Sequence, residues 1–445
     1  MLIPRPKNRP VKMTVDLDRL ARTLETELGA AAVQTEAELL TRRAVDEVRS
    51  KLVCLPEDAD QVVAALRLCM NAGAAVTAWG GGTAMRIGNL PRRVDVVFDL
   101  SKLNRLIEHD HANLTATVEG GMALAALQKA VANQGQFAAM DSPYPERSTV
   151  GGTVAANLNG PRRSCYGSVR DLVIGIKAAL ATGERIKAGG KVVKNVAGYD
   201  MCKLFVGSLG TLGIITEATL RMTPIAETGA TVTAGGNLTK LMELVADLAR
   251  STLLPSAVAI LNSQATGGAE IRHGDWQLAV RAEGFAENVG RHVKDIRSMA
   301  ERIGIDSETS QTPVDAKFWD RIRDFPLQNE RLVYRIMMPQ ASAGEVLQAV
   351  QTWQPADPAI VCDPAAGTLW VALTANEIAL SRFAELTSLA AQHKGHAIIF
   401  SAPGHLKREI DVWGIPSPAM YLMRELKLKF DPKGLLNAGR FVGGL

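Results

Sequence analysis

Cysteine is scarce and scattered. Five occur in 445 residues, at positions 54, 69, 165, 202 and 362, and no two form a C-x-x-C pair. That spacing excludes an iron–sulfur cluster or a zinc ribbon carried by this chain. Buried free thiols are expected instead. Long apolar runs are also missing, since none approaches the roughly 20 residues that span a bilayer. The opening Met1-Leu2-Ile3-Pro4-Arg5-Pro6-Lys7 contains no apolar stretch of the kind a secretion signal needs, so a cytoplasmic protein is expected. Neither sign of charge dominates. Fifty basic residues against 46 acidic ones leave a net charge of +4, spread along the chain, which does not indicate nucleic acid.

What remains is an ordinary globular composition, 47% hydrophobic and 22% charged. Its length suggests two or three domains. Glycine is the informative residue. Ala74-Ala75-Val76-Thr77-Ala78-Trp79 reads as a short buried strand that runs into Gly80-Gly81-Gly82-Thr83. Successive amides in such a turn can form an anion-binding concavity suited to a pyrophosphate. It is not a Rossmann fingerprint, because the G-x-G-x-x-G spacing and the later acid are absent, and no Gly-Lys-Ser/Thr makes it a P-loop. A tight strand-to-helix turn would give the same residues.

The second glycine-rich region runs from Ser148 to Glu217. It holds Ser148-Thr149-Val150-Gly151-Gly152, Gly167-Ser168-Val169-Arg170-Asp171, Lys194-Asn195-Val196-Ala197-Gly198-Tyr199-Asp200 and Gly207-Ser208-Leu209-Gly210-Thr211-Leu212-Gly213-Ile214-Ile215. Glycine at this density weakens strands. Without a Cβ, however, a backbone amide can approach a phosphate or a ring edge closely.

Periodicity places the elements around these motifs. Leu17, Leu20, Leu24 and Leu28 mark a helical segment within residues 14–50, and Asp58 precedes a helix over 61–72 that Gly73 ends. Val94–Asp99 reads as a second strand, completing a small α/β lobe up to about residue 107. From 108 to 225 short strands and turns dominate, with strands over 115–119, 172–180 and 191–194 and a helix over 123–134. Beyond 226, helices over 238–252 and 286–304 alternate with strands over 256–262, 276–283, 331–338 and 368–373. That repetition suggests an antiparallel sheet covered by helices.

The order strand–GGGT, STVGG with Asn157, GSVRD, KNVAGYD and GSLGTLGIITE is similar to flavoproteins of the vanillyl-alcohol-oxidase type. Within them it resembles the FAD-binding subunits of bacterial glycolate oxidase, of the glycolate/D-lactate dehydrogenase kind. The C-terminal Phe430-Asp431-Pro432-Lys433-Gly434-Leu435-Leu436-Asn437-Ala438-Gly439-Arg440 and the strand Tyr334-Arg335-Ile336-Met337-Met338-Pro339 carry the resemblance to the other end of the chain. It implies an α+β protein, with a two-lobed PCMH-type FAD-binding domain and an α+β cap domain containing an antiparallel sheet. The expected organisation is an N-terminal helical segment (1–50), an FAD-binding domain (51–225, lobes about 51–107 and 108–225), a cap (226–425) and a segment returning to the flavin (426–445).

The resemblance also implies a site. Gly80, Gly81, Gly82, Thr83, Ala84 and Met85 would surround the pyrophosphate. Ser148, Thr149, Val150, Gly151 and Gly152 would meet the flavin side or the second phosphate. Asn157 would offer a donor and an acceptor to a ring edge, Ile214 and Ile215 would meet the adenosine end, and Asn437 would touch the flavin. Ala438 replaces the proline usual in that last turn, which loosens it. Arg170 either contacts FAD or pairs with Asp171. Noncovalent FAD is expected, because Thr83 stands where histidyl-linked relatives carry His; Cys165 is the thiol nearest the second cluster.

No substrate machinery is evident. The related hydroxy-acid-oxidising subunits carry a metal motif, H-x-G-D-G-N-x-H. His273-Gly274-Asp275 echoes it without a later histidine in register, and His393 and His396 lack a third ligand. No metal is therefore expected. Arg335, in an apolar strand, either grips a substrate carboxylate or pairs with an acid. His396 is either a base at the ring or a structural histidine. Lys194, Asn195, Tyr199 and Asp200 are expected to knit the second lobe to the flavin loop.

Three functions follow as expectations. The first is an electron-transfer subunit of a 2-hydroxy-acid dehydrogenase, relaying electrons between a catalytic FAD subunit and an iron–sulfur subunit, cytoplasmic or peripheral to the inner membrane through those partners. The second is a self-sufficient FAD oxidoreductase acting on another small carboxylic acid. The third is a flavin-free scaffold.

Overall fold

A computed structural model describes residues 15–191, 199–266, 274–328, 330–353 and 357–445. Its contacts divide the chain into two compact units. The first takes the described residues up to Leu158, then Ser168–Pro224 and Lys407–Leu445; the second takes Asn159–Gly167 and Ile225–Leu406.

The first unit holds two main sheets. In one, β1 (Val33–Gln34), β2 (Leu52–Cys54), β3 (Val76–Trp79) and β4 (Val96–Asp99) run in the order β1-β2-β4-β3. Strands β2, β4 and β3 are parallel, and β1 is antiparallel to β2. The helix Ala59–Ala72 supplies the crossover from β2 to β3. Asp58 caps it by accepting from the Gln61 amide at 2.8 Å, and Gly73 closes it at φ +70°, a left-handed turn that glycine adopts at little cost. Its Val62, Leu66 and Met70 bury against Val96 and Phe98.

The helical reading of 14–50 holds only for Leu17–Leu28 and Ala37–Arg42. Leu20 and Leu24 are buried in the same core as β2 and β4, and Val33–Gln34 joins the sheet.

In the other sheet, β5 (Leu106–Asp110), β6 (Thr115–Glu119), β8 (Val173–Ala179), β9 (Arg185–Gly189) and β10 (Ile214–Arg221) follow the order β5-β6-β10-β8-β9, all antiparallel. A short pair joins β7 (Gln136–Phe137) to β11 (Thr223–Pro224). Only Lys191 of the strand expected over 191–194 lies among the described residues. A helix over Val150–Ala156 replaces part of the expected strand-and-turn pattern, because Thr149 provides an N-cap that outweighs two glycines.

The second unit is built on an eight-stranded antiparallel sheet. Its strands are β12 (Thr228–Gly236), β13 (Ala257–Asn262), β14 (Trp276–Gly284), β15 (Ser307–Gln311), β16 (Arg331–Met337), β17 (Ala359–Asp363), β18 (Thr368–Thr374) and β19 (His396–Ser401). They run in the order β15-β12-β14-β13-β17-β18-β16-β19. The expected helices fall at Leu238–Arg250 and Ala286–Arg302, and further helices occupy Ala316–Asp324, Ala343–Gln351 and Glu377–Gln392. Among the described residues no helix is long and apolar enough to cross a membrane. Four cysteines are buried as expected, whereas Cys165 is exposed.

Candidate functional site

The two glycine clusters meet in the first unit. Thr83 Oγ1 lies 3.0 Å from Ser148 Oγ. A Cβ on Gly80 would strike Thr149 Oγ1, and one on Gly81 would overlap the Arg147 carbonyl oxygen. Both positions therefore have to be glycine for the segments to approach. Gly82 takes φ +72° against the Trp79 ring. Among the described residues, the amides of Gly80 through Ala84 donate to no protein acceptor. Five consecutive unspent N–H groups in a half-buried turn form the concavity that an anion fills.

Beside this turn lies an open cleft with small apolar walls. Of the predicted residues, Gly80, Ala84, Met85, Thr149, Gly151, Gly152, Ile214, Ile215 and Asn437 line it. Gly151 donates its amide to Gly120 O at 2.8 Å, and Gly152 donates to Thr149 Oγ1 at 3.2 Å. These two glycines thus present bare backbone rather than donors.

The sequence reading missed Ala78, Leu100, Ala155, Ala156, Leu209, Gly210, Gly213 and Arg440. For Leu209, Gly210 and Gly213 the signal was present, in the glycine cluster that runs into Ile214 and Ile215. Gly81, Gly82, Thr83, Ser148 and Val150 are not among the lining residues; the first three belong to the turn itself, and Ser148 touches it through Thr83. Asn157 is the left-handed C-cap of the helix Val150–Ala156, at φ +49°.

Several expected contacts take another form. Arg170 is exposed and is not among the lining residues. Asp171 does not shape the loop by pairing with it. Instead it accepts from the Ser168 amide and hydroxyl at 2.9 and 2.7 Å, a capping box that holds its carboxyl below the usual range. Tyr199 is 96% exposed, while Asp200 Oδ1 accepts from the Cys202 amide. Lys194, Asn195 and His273 lie outside the described residues.

The C-terminal turn completes the cleft. Asn437 donates its amide to Val76 O and Val76 donates to Leu435 O, both at 2.9 Å, so the turn hangs on β3. Despite Ala438 in place of proline the turn closes, with the Arg440 amide donating to Asn437 O at 3.2 Å and the Arg92 amide to Ala438 O at 2.8 Å. Lys427 braces it from below, donating to Thr211 O, Leu436 O and Asp431 Oδ2 at 2.7–2.9 Å.

Asn437 spends its Nδ2 on Leu209 O, leaving a buried Oδ1 without a partner. Arg440 donates one terminal nitrogen to Met85 O and Ile87 O at 2.9 and 2.8 Å, leaving Nε without one. Buried polar atoms are normally paired, so these two are open positions for a ligand. Small apolar walls, free turn amides and an open donor–acceptor set fit FAD, and a flat ring system with a diphosphate would satisfy them together.

Arg335 and His396 belong to the second unit. There a small pocket is lined by Arg335, Arg163, Asp363, Cys362, Thr368 and Trp370, among others; His396 is not among the lining residues. Arg335 forms no ion pair among the described residues. Its guanidinium lies over the Trp370 ring at 5.2 Å and its Nε is unpartnered. Burial lowers its pKa to about 10, helped by Arg163.

Burial raises the Asp363 carboxyl to about 6, against opposing pulls from the Ala366 amide, Arg163 and the Ser164 hydroxyl. The unfolded chain therefore loses this proton first, near pH 4, and the folded chain near 6. The penalty of burying the acid builds up across that window and persists above it. Asp363→Asn is expected to raise stability at pH 7.5 by up to about 3 kcal/mol and to have little effect at pH 4, as read from thermal melts at both.

Residues 50–189 match the family described as "FAD binding domain". Over 417 residues the chain is 28% identical to glycolate oxidase subunit GlcD of Bacillus subtilis (strain 168), covering 87% of this chain and 88% of the relative. It is 27% identical to a D-lactate dehydrogenase of Archaeoglobus fulgidus, covering 88% and 91%. It is 28% identical to glycolate oxidase subunit GlcE of Escherichia coli (strain K12), covering 76% and 85%. Among solved structures, p-cresol methylhydroxylase superposes with a TM-score of 0.74 at 15% identity, covering 99% of both chains. An alkyldihydroxyacetonephosphate synthase gives 0.73 at 17%, covering 98% and 87%. The fold is thus the PCMH-type FAD-binding fold, and the chain is an FAD-dependent oxidoreductase related to glycolate oxidase subunits and D-lactate dehydrogenases.

Proposed function

We propose that this chain is the electron-relaying flavin subunit of a multi-subunit glycolate or D-lactate dehydrogenase. It would work between a catalytic FAD subunit and an iron–sulfur subunit. One observation carries the reading: among the described residues, the cleft lining has Arg440 as its sole ionisable residue, with no His, Asp, Glu, Lys, Tyr or Cys to take a hydroxy-acid proton. The sequence also lacks the H-x-G-D-G-N-x-H array. Among the described residues, no three His, Cys, Asp or Glu side chains converge to hold a metal.

FAD, held noncovalently, supplies two-electron uptake and one-electron release. The residues of this chain supply the rest. The Gly80–Ala84 amides hold the diphosphate, the Gly151, Gly152, Ile214 and Ile215 backbone excludes water, and Asn437 orients the ring. Since no cysteine pair here can hold a cluster, one-electron transfer onward to an iron–sulfur centre would need a separate protein.

A second reading rests on the Arg335 cavity. A guanidinium whose Nε has no partner among the described residues, with Arg163 nearby, suits a small carboxylate, and the chain would then be a self-sufficient oxidoreductase. Native co-purification with flavin and iron counted, followed by assay of the isolated chain, separates the two. The relay predicts yellow protein with little glycolate or D-lactate turnover. Rapid turnover by this chain alone would reject it.

A further inference from the structure

We propose that the outer face of the helix Met420–Phe430 pairs with the same helix of a second copy of this chain, antiparallel and about a two-fold axis. Twelve large apolar side chains are exposed among the described residues. Five of them, Ile415, Tyr421, Leu422, Leu426 and Leu428, fall on this helix and the turn before it. Tyr421, Leu422 and Leu428 are 64%, 50% and 57% exposed. Exposed apolar side chains that occur singly need no explanation, whereas a cluster of them marks an interaction site.

The inner face of the helix is already committed. Met420 is buried, and Lys427 is bonded to Thr211 O and Leu436 O. Phe430 meets the Phe205 ring edge-on, at 5.9 Å between centroids. The helix therefore cannot roll to hide its outer leucines, which stay in water until another molecule covers them.

Charge identifies the occupant. At 3.6 residues per turn, Glu425 and Lys429 lie along the middle of the outer face. Leu422 and Leu426 form one flank, Tyr421 and Leu428 the other. A glutamate four residues before a lysine ordinarily pairs with it, yet neither side chain makes an ion pair or hydrogen bond among the described residues. An antiparallel copy centred between them sets each Glu425 opposite Lys429 of the other copy, and brings the two Leu426 side chains together near the axis. The contact is isologous, so the charge pairing forms twice. A bilayer suits this face poorly, because interfacial helices keep charge off the side they insert.

The test is sedimentation velocity of the purified chain over a concentration series, with thermal melts to confirm folding. It would compare the native chain with Glu425→Lys, Lys429→Glu and the double exchange. The native chain is expected to pass from monomer to dimer as its concentration rises. Each single exchange sets like charges opposite one another twice. It is expected to raise the dimer dissociation constant at least about tenfold, with a smaller effect at high salt. The double exchange restores opposite signs at both places and is expected to recover native association. Leu426→Glu is expected to leave a folded monomer.

A native chain that stays monomeric at every concentration would overturn the proposal. Binding of anionic-lipid vesicles, or of a co-produced iron–sulfur subunit, that Leu426→Glu abolishes would then name the true occupant. A native dimer that Leu426→Glu leaves intact would overturn it too, since the interface would lie elsewhere. A double exchange no better than the single ones would overturn the antiparallel pairing.

Discussion

Lys407→Met is expected to destabilise the protein by about 3–5 kcal/mol, the range for removing one partner of a buried ion pair. Lys407 and Asp46 are each about 1% exposed at the side chain and bonded to one another. The ammonium also donates to Arg86 O and Gly88 O at 3.0 and 3.1 Å. Burial pushes Lys407 down to about 8, with Asp46 pulling it back up. Burial likewise raises Asp46, with Lys407 opposing.

In the methionine variant, Asp46 keeps the burial penalty and loses the opposing charge. Its carboxyl pKa then rises further, so the loss is smallest at low pH, grows as pH rises from the ordinary carboxylate range up to the displaced value, and persists above it. Asp46→Asn combined with Lys407→Met should recover much of the loss at neutral pH, since asparagine tolerates the positive φ of +51° at that position. Urea unfolding of both variants at two pH values reads the effect. Equal losses at both, with no recovery in the double variant, would show that packing dominates.

The second large effect is expected at Gly81. An alanine Cβ there would overlap the Arg147 carbonyl oxygen, which is backbone and cannot swing away. The turn must move, and with it the five unspent amides and the contact between Thr83 and Ser148. Gly81→Ala is expected to weaken FAD binding more than tenfold, at least about 1.4 kcal/mol, and to yield largely colourless protein. Gly190→Ala provides the control, since nothing lies within 4 Å of its added Cβ and its φ is not positive. Flavin content after gel filtration distinguishes them, and full yellow colour in Gly81→Ala would refute the close-approach argument.

The anion turn was legible because its signal is local: a run of glycines after a buried strand leaves few conformations and few uses. The strands of the second unit with near-continuous apolar runs, such as Arg331–Met337 and Thr368–Thr374, were legible for the same kind of reason. Thr228–Gly236 was not, since its alanines, threonines and glycines carry little periodicity and its pairing with Trp276–Gly284 supplies the order.

Arg440 was missed because nothing beside it in the sequence marks it as buried. Its partners at Met85 and Ile87 lie more than 350 residues away. Arg335 was flagged from its apolar strand alone, whereas its Trp370 neighbour is a cross-strand pairing. Asp171 was assigned the wrong partner because a capping box and an adjacent Arg–Asp pair look alike in sequence.

Asn437 and Arg440 close a cleft whose opposite wall starts at Ala78. A chain emerging from the ribosome cannot build that second wall until residue 437 has been made. A nascent chain stalled before that residue should therefore remain without flavin, whereas one stalled well beyond it should be able to take it up.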